Sequence, residues 1–165
     1  MAYRTDIDEI VNYPYLAKTM ILENQEIMAL VSNDPTYDPD SDEAEQFEAR
    51  VKDHDYVDET MLTADCYICI ETEMTSLDTP SMKTMYLYVN VICRKTYMDL
   101  DNKLFKGYKG TRRDNIARLV NTLLNENGAF GVGDLHLISA TLGSVPTGFT
   151  SRVLTYRVPA FADHV

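Results

Sequence analysis

The feature that most constrains the fold is a run of strictly alternating residues between Met85 and Arg94. The apolar positions of this run are Met85, Leu87, Val89, Val91 and Cys93, and the positions between them are Tyr86, Tyr88, Asn90, Ile92 and Arg94. Because successive side chains of a strand point to opposite faces, the pattern predicts a long strand with one buried face. A similar alternation begins at Cys66, and the stretch 75–81 (TSLDTPS) is typical of a connection. We therefore expect strands over residues 64–74 and 82–97 that pair as a long hairpin.

An amphipathic helix is predicted after this hairpin. Its apolar residues recur at spacings of three and four, and they are Ile116, Leu119, Val120, Leu123 and Leu124. Thr111 is a suitable N-cap, and Asn127-Gly128 is a suitable end. Alternation around residues 135–137 and 153–155 then predicts two closing strands, joined by a turn over residues 143–148.

Helical spacing also predicts three short helices near the N-terminus. The first is capped by Thr5 and places Ile7, Ile10 and Val11 on one side. We expect Pro14 to interrupt it, because a proline clashes with the preceding turn, and a second helix to begin there. The third covers residues 24–31 and is ended by the Ser-Asn-Asp-Pro sequence at residues 32–35.

A chain of 165 residues predicts a single domain over residues 1–165. We divide it into a helical N-terminus (1–32), an acidic loop or excursion (33–60) and a core of hairpin, helix and two strands (61–165). The predicted fold class is α+β: a mostly antiparallel sheet, made of the long hairpin plus two C-terminal strands, is packed by an amphipathic helix. The acidic N-terminal sequence does not resemble a secretory signal, and no apolar run is long enough to predict a membrane span.

The acidic segment, residues 34–59, carries a charge of −9, against −11 for the whole chain. A groove that grips nucleic acid would be basic, so this composition argues against sequence-specific nucleic-acid binding. An acidic surface could instead line a passage through which DNA moves without adhering. The candidate residues of such a lumen are Asp38, Asp40, Asp42, Glu43 and Glu45.

Basic residues cluster just before and at the start of the predicted amphipathic helix. They are Lys103, Lys106, Lys109, Arg112 and Arg113. A solvated face would explain them, but in an otherwise acidic protein we favour a binding surface. Its separation from the acidic segment suits head-to-tail self-association. Together with Tyr86 and Tyr88, which share one face of the long strand, these residues form the candidate subunit interface.

Two motifs resemble metal-binding or redox sites, but each matches only part of the pattern that such a site requires. Cys66 and Cys69 have the C-x-x-C spacing, but in a strand their side chains point to opposite faces, and a second pair of ligands is missing. With Cys93 they are expected to be core cysteines in a reducing compartment. Residues 38–42 resemble the start of a calcium loop, yet its sixth position is Glu43 rather than glycine and its twelfth is Ala49 rather than glutamate.

No other pattern points to catalysis. The glycines of residues 128–133 follow a helix and precede a strand, which is the reverse of a phosphate-binding loop. Three histidines, His54, His136 and His164, lack a clear partner that would make them general bases. We therefore expect a protein that is not an enzyme, with no catalytic residues, no cofactor and no metal.

The order of elements resembles that of the tail-terminator and neck proteins of tailed bacteriophages. The matching stretches span about residues 60–160 and are 86–93 (YLYVNVIC), 110–125 (GTRRDNIARLVNTLLN), 130–139 (FGVGDLHLIS) and 151–156 (SRVLTY). The resemblance implies a structural virion protein that forms a homo-oligomeric ring, for example a hexamer, at the head–tail junction. Such a ring terminates the tail tube and docks it to the neck.

The same resemblance implies the partners and the location. The partners would be further copies of the chain, other neck and tail-tube proteins, and genomic DNA that passes through without specific binding, with no membrane involved. Assembly would take place in the bacterial host cytoplasm, and the final location would be the virion. The alternatives are an intracellular α+β adaptor that binds another protein without catalysis, and a small enzyme or redox module that uses Cys66 and Cys69.

Overall fold

The computed structural model describes residues 8–54, 65–79, 82–131 and 133–161 of the chain. Its helices are α1 (Asp8–Leu22), α2 (Gln25–Ser32), α3 (Ala44–Glu48) and α4 (Arg112–Leu124), with a 3₁₀ turn at Lys95–Tyr97. Its strands are β1 (Val51–Lys52), β2 (Cys66–Thr79), β3 (Met82–Arg94), β4 (His136–Leu142) and β5 (Phe149–Phe161). The expected Thr5 cap, Ile7, Asp55, Asp58, Glu59 and His164 lie outside the described residues.

The strands form one five-stranded sheet in the order β1-β2-β3-β5-β4. All neighbours are antiparallel except β1, which is parallel to β2. The α+β class and the long β2–β3 hairpin are confirmed. Strand β2 continues five residues beyond the predicted end at Met74, to Thr79. Register shifts between Met74 and Thr79 explain why simple alternation did not reveal this extension.

The core lies between one face of the sheet and the helices, so the molecule has two layers. Leu87, Val89 and Val91 of β3 are fully buried, and so are the α4 residues Ile116, Val120 and Leu124. The predicted packing of this helix on the sheet is thereby confirmed. Leu123 differs from the rest of the apolar stripe, since it is only partly buried.

Helix α1 is continuous through Pro14, so the predicted break at this residue is wrong. Proline removes one backbone hydrogen bond from a helix, but here Tyr13, Pro14 and Ala17 are all buried. Burial of this face stabilises the helix enough to offset the lost bond. Val11, expected on the apolar side, is instead 72% exposed.

The other predicted helix ends are close to those observed. The Asn24 side chain accepts a hydrogen bond from the Ile27 amide of α2 (3.0 Å), and Asn33 follows this helix with a positive φ of 61°. The Thr111 hydroxyl accepts from the Asp114 amide (3.3 Å) and so caps α4 as expected. Helix α4 ends at Leu124, and Asn127 donates its backbone amide to the Leu124 carbonyl (3.1 Å).

Candidate assembly surfaces

Two arginines at the start of α4 are buried, which corrects the expectation that they belong to an exposed basic patch. Arg112 is 2% exposed and Arg113 is 7% exposed. Their guanidinium groups bind groups of the same chain, as described below. Two arginines at the start of a helix predict exposed side chains. The neighbouring sequence does not indicate that distant segments supply hydrogen-bond acceptors for them.

Arg112 joins three segments of the chain. Its guanidinium donates to the Leu30 carbonyl (2.7 Å), the Tyr97 carbonyl (3.0 Å) and the Asn33 Oδ1 (2.6 Å). It also lies 4.9 Å from the centre of the Tyr97 ring, as a cation–π contact. Because Leu30 and Asn33 are at the C-terminal end of α2, the charge interacts favourably with the dipole of that helix. This residue therefore stabilises the fold and is not available to a partner.

Arg113 ties the start of α4 to β5 through a shared carboxylate. Its Nε is 3.0 Å from Asp114 Oδ1, and Arg152 of β5 approaches the same oxygen at 3.1 Å. Arg113 also donates to the hydroxyl of Thr150. Partial burial by itself would raise the pKa of Asp114, but the hydrogen bonds from the two arginines outweigh burial and lower the pKa of this carboxyl.

The remaining basic residues form the lysine surface: Lys103, Lys106 and Lys109, all exposed, on the loop before α4. Lys103 and Lys106 line a groove of about 510 Å³ together with residues of α2 and with Pro35. Pro35 is the second residue of the acidic segment. The lysine surface and the beginning of the acidic segment therefore lie on the same side of the molecule, which corrects the expectation of separate faces there.

The acidic surface consists of the five exposed residues Asp38, Asp40, Asp42, Glu43 and Glu45. The described part of the acidic segment, residues 34–54, has side chains that pack against the core. Tyr37 is 4% exposed and its ring meets that of Phe47 edge to face (6.3 Å). Farther along, Val51 pairs with Ile68 as part of β1. Within the segment, the short helix α3 follows Asp42, whereas the two-residue β1 is too short to be detected from sequence.

Tyr86 and Tyr88 lie on the outer face of the sheet, which the helices do not cover. Their ring centres are 6.3 Å apart, and the Tyr88 hydroxyl donates to Glu73 Oε2 (2.8 Å). Partial burial and then this hydrogen bond raise the pKa of Tyr88 to about 12. The lysine surface borders α2 in the helical layer, so the structure does not bring the two parts of the expected interface into one patch.

Among the described residues, the sheet has two open edges that local sequence patterns did not indicate. Strand β4 pairs with β5 on one side only, among the described residues, and it exposes Ile138 (53%) and Leu142 (69%). At the opposite edge, β1 covers only Ile68 and Cys69 of β2 within the described ranges. Beyond Cys69, no strand of the described residues pairs with this side of β2. A strand's place at an edge depends on pairing order, which local alternation does not reveal.

The C-x-x-C cysteines lie on opposite faces of β2, as expected. Cys66 belongs to the main core, whereas Cys69 lies in a small cluster on the outer face with Tyr67, Ile92 and Phe149. In the described part of the chain, no three His, Cys, Asp or Glu residues are grouped so that they could hold a metal ion. Among the described helices, none has the length and apolar character needed to cross a membrane.

The family model YomW matches residues 24–158, which is most of the chain, and the protein belongs to this family. Membership indicates a phage-associated protein. No match was found among curated proteins. The family therefore agrees with the phage association that the order of elements implies. It does not specify where in a phage particle the protein lies.

Proposed function

We propose that this YomW-family protein is a structural component of a tailed-phage virion that forms a closed ring at the head–tail junction. The ring would terminate the tail tube and dock it to the neck. Two findings support the proposal: the phage association of the family, and a fold with the helical N-terminus, long hairpin, amphipathic helix and two closing strands on which the resemblance rests.

The observation that carries the proposal is the pair of open edges at opposite ends of the sheet. A ring needs two different surfaces on each subunit, so that the same contact can repeat around an axis. Strand β4 offers one such surface, and β2 beyond Cys69 offers the other. Pairing of β4 with β2 of the next copy would satisfy backbone groups at both edges and cover Ile138 and Leu142.

Charges at the two edges favour this arrangement. On the outer face, β2 exposes Glu71 and Glu73, whereas Arg157 of β5 is exposed next to the other edge. A head-to-tail contact would bring these opposite charges together. Exposed ion pairs contribute only about 0–1 kcal/mol each, so they would set the register of the contact more than its strength.

The lysine and acidic surfaces both take part in the proposed assembly. We assign the lysine surface to contact with the acidic surface of a neighbouring copy. Those carboxylates of the acidic surface that face the ring axis rather than a neighbouring copy would repel DNA and let the genome pass without adhering. Neck and tail-tube proteins are the other partners, and the proposal includes no enzymatic activity, no cofactor, no metal and no membrane contact.

A pair of charged substitutions at the β4 edge tests the role of the edges. Ile138→Lys with Leu142→Lys places charge on an edge strand, which opposes strand pairing. Since both side chains are exposed, the monomer should keep its circular dichroism spectrum while its assembly is lost in native mass spectrometry. Val11→Lys with Tyr15→Lys is the matched control, because both side chains are exposed but lie on α1, outside the proposed contacts.

Two results would contradict the edge contact. One is assembly of the Ile138→Lys, Leu142→Lys variant at the wild-type concentration, and the other is equal loss of assembly in the control with lysines at Val11 and Tyr15. A wild-type protein that stays monomeric yet captures one defined partner would instead favour the adaptor function.

A further inference from the structure

Cys66 and Cys93 lie directly opposite each other at the base of the β2–β3 hairpin. Both side chains are buried, at 1% and 0% exposure. Their sulfur atoms are 2.7 Å apart. Non-bonded heavy atoms normally approach to roughly 3.5–4.0 Å, and a disulfide bond is about 2.05 Å long. The two thiols are therefore positioned much closer than ordinary core neighbours.

The backbone at this pair fits a cross-strand disulfide. The Arg94 amide donates to the Asp65 carbonyl (2.7 Å), so the neighbouring pair, Cys66 with Cys93, occupies a non-hydrogen-bonded site of the ladder. At such sites the Cα atoms are about 4.5 Å apart, within the roughly 4.4–6.8 Å that disulfides span. Cys69 is on the other face, opposite Asn90, and does not share this geometry.

We propose that Cys66 and Cys93 are an oxidisable pair that forms an intramolecular disulfide when the protein meets an oxidising environment. The oxidant is a small disulfide such as oxidised glutathione. One cysteine sulfur attacks it, which breaks its S–S bond and gives a mixed disulfide; the second cysteine sulfur then displaces the remaining thiol. Two electrons pass to the small disulfide, and the two cysteine protons end on the two released thiols.

The place where this oxidation would occur rests on the proposed function. A virion protein is assembled in the reducing host cytoplasm and meets an oxidising medium after release. The bond would then close a loop between residues 27 apart in sequence, at the point where β1 also joins β2. Because such a link restricts the unfolded chain, the oxidised protein should melt roughly 5–10 °C higher than the reduced one.

Oxidation of the folded protein should be slow. The hydrogen bond with Cys66, and then burial, raise the pKa of the Cys93 thiol well above its usual value, and the thiolate is the reactive form. The experiment therefore uses two routes with the full-length chain. In the first, reduced folded protein is incubated with oxidised glutathione; in the second, reduced unfolded protein is refolded in a glutathione redox buffer.

Peptide mapping identifies the bond after the remaining thiols are alkylated. Trypsin places Cys66 and Cys69 on residues 53–83 and Cys93 on residues 84–94. We expect these two peptides to be linked in the wild type and in Cys69→Ser, and unlinked in Cys66→Ser and Cys93→Ser. The melting temperature should rise on oxidation only in the first two proteins.

The proposal is overturned if the refolded wild type lacks the linked peptides, or if the link persists in Cys66→Ser. Both results are obtained with the isolated chain, so they do not depend on ring formation. Mapping the same peptides in purified phage particles then tests the virion setting separately: a disulfide in the isolated chain but reduced thiols in particles would contradict oxidation after release.

Discussion

Arg112 places one guanidinium between the C-terminal end of α2 and the first turn of α4. A positive charge at a helix N-terminus is unfavourable, yet the carbonyls of Leu30 and Tyr97 and the side chain of Asn33 bind this guanidinium. We expect Arg112→Met to leave these buried acceptors without a donor and to lower the free energy of unfolding by about 3 kcal/mol. Urea denaturation measures the difference.

Lys106→Met is the control for this substitution, because Lys106 is exposed on the lysine surface. Its effect on the free energy of unfolding should stay within about 0.5 kcal/mol. Equal denaturation midpoints for Arg112→Met and the wild type would show that the buried network contributes little to stability.

The carboxylate of Asp114 makes a pH-dependent contribution to the stability of the folded protein. Burial raises its pKa, but Arg113 and Arg152 lower it more, so the folded-state pKa is below the unfolded value of 3.8. Stability from this group is therefore present above that value and is lost as the pH falls through the folded-state pKa. We expect Asp114→Asn to be less stable than the wild type at pH 7, and the gap to narrow below about pH 4.

Thermal melting of both proteins across this pH range provides the measurement. Replacing Arg152 with Met should shrink the gap between wild type and Asp114→Asn, since one of the two partners is then absent. A gap that is constant from pH 7 to pH 3 would mean that the ion pair is not its source.

Among the secondary-structure elements, helix α4 should stabilise the fold mainly through its apolar face. Ile116 is fully buried against the sheet, whereas Leu123 is only partly buried. Ile116→Ala should cost about 2–5 kcal/mol, through lost burial and the cavity left behind. Leu123→Ala should cost clearly less, because water already reaches part of its side chain. Similar losses in chemical denaturation would contradict the observed orientation of this helix.

Elements that bury one face along a regular period were predictable from the sequence. The alternation of β3 and the apolar stripe of α4 each report directly which side meets the core. Other features depend on distant parts of the chain. The end of β2 is hidden by register shifts, β1 exists only because β2 pairs with it, and Pro14 is tolerated because its helix is packed.

The candidate surfaces were only partly predictable for the same reason. Exposure of the lysine and acidic surfaces follows from their charge. Burial of Arg112 depends instead on acceptors from residues 30, 33 and 97, which are far away in sequence. The open sheet edges and the Cys66–Cys93 pairing likewise follow from strand order and register, which become visible only in the folded chain.

For the whole molecule, the charged surfaces predict that salt affects how neighbouring subunits align in the assembly. The stability of the folded subunit should depend little on salt. Changing Lys103, Lys106 and Lys109 together to Glu should weaken or misalign assembly while leaving thermal stability nearly unchanged, because all three side chains are exposed. Raising the ionic strength should have a milder effect of the same kind on the wild type. Sedimentation velocity would measure both, and unaltered assembly of the triple variant would remove the lysine surface from the contact.

The central claim is that identical subunits join head to tail through opposite edges of the sheet and close into a ring. The most direct measurement is the mass of the purified full-length protein in solution, read together with negative-stain electron microscopy of the same sample. The account predicts one discrete oligomer with a mass that is an integral multiple of the 18.8 kDa chain, seen as rings with rotational symmetry. A protein that remains monomeric at high concentration, and that no phage tail or neck component recruits, would contradict it.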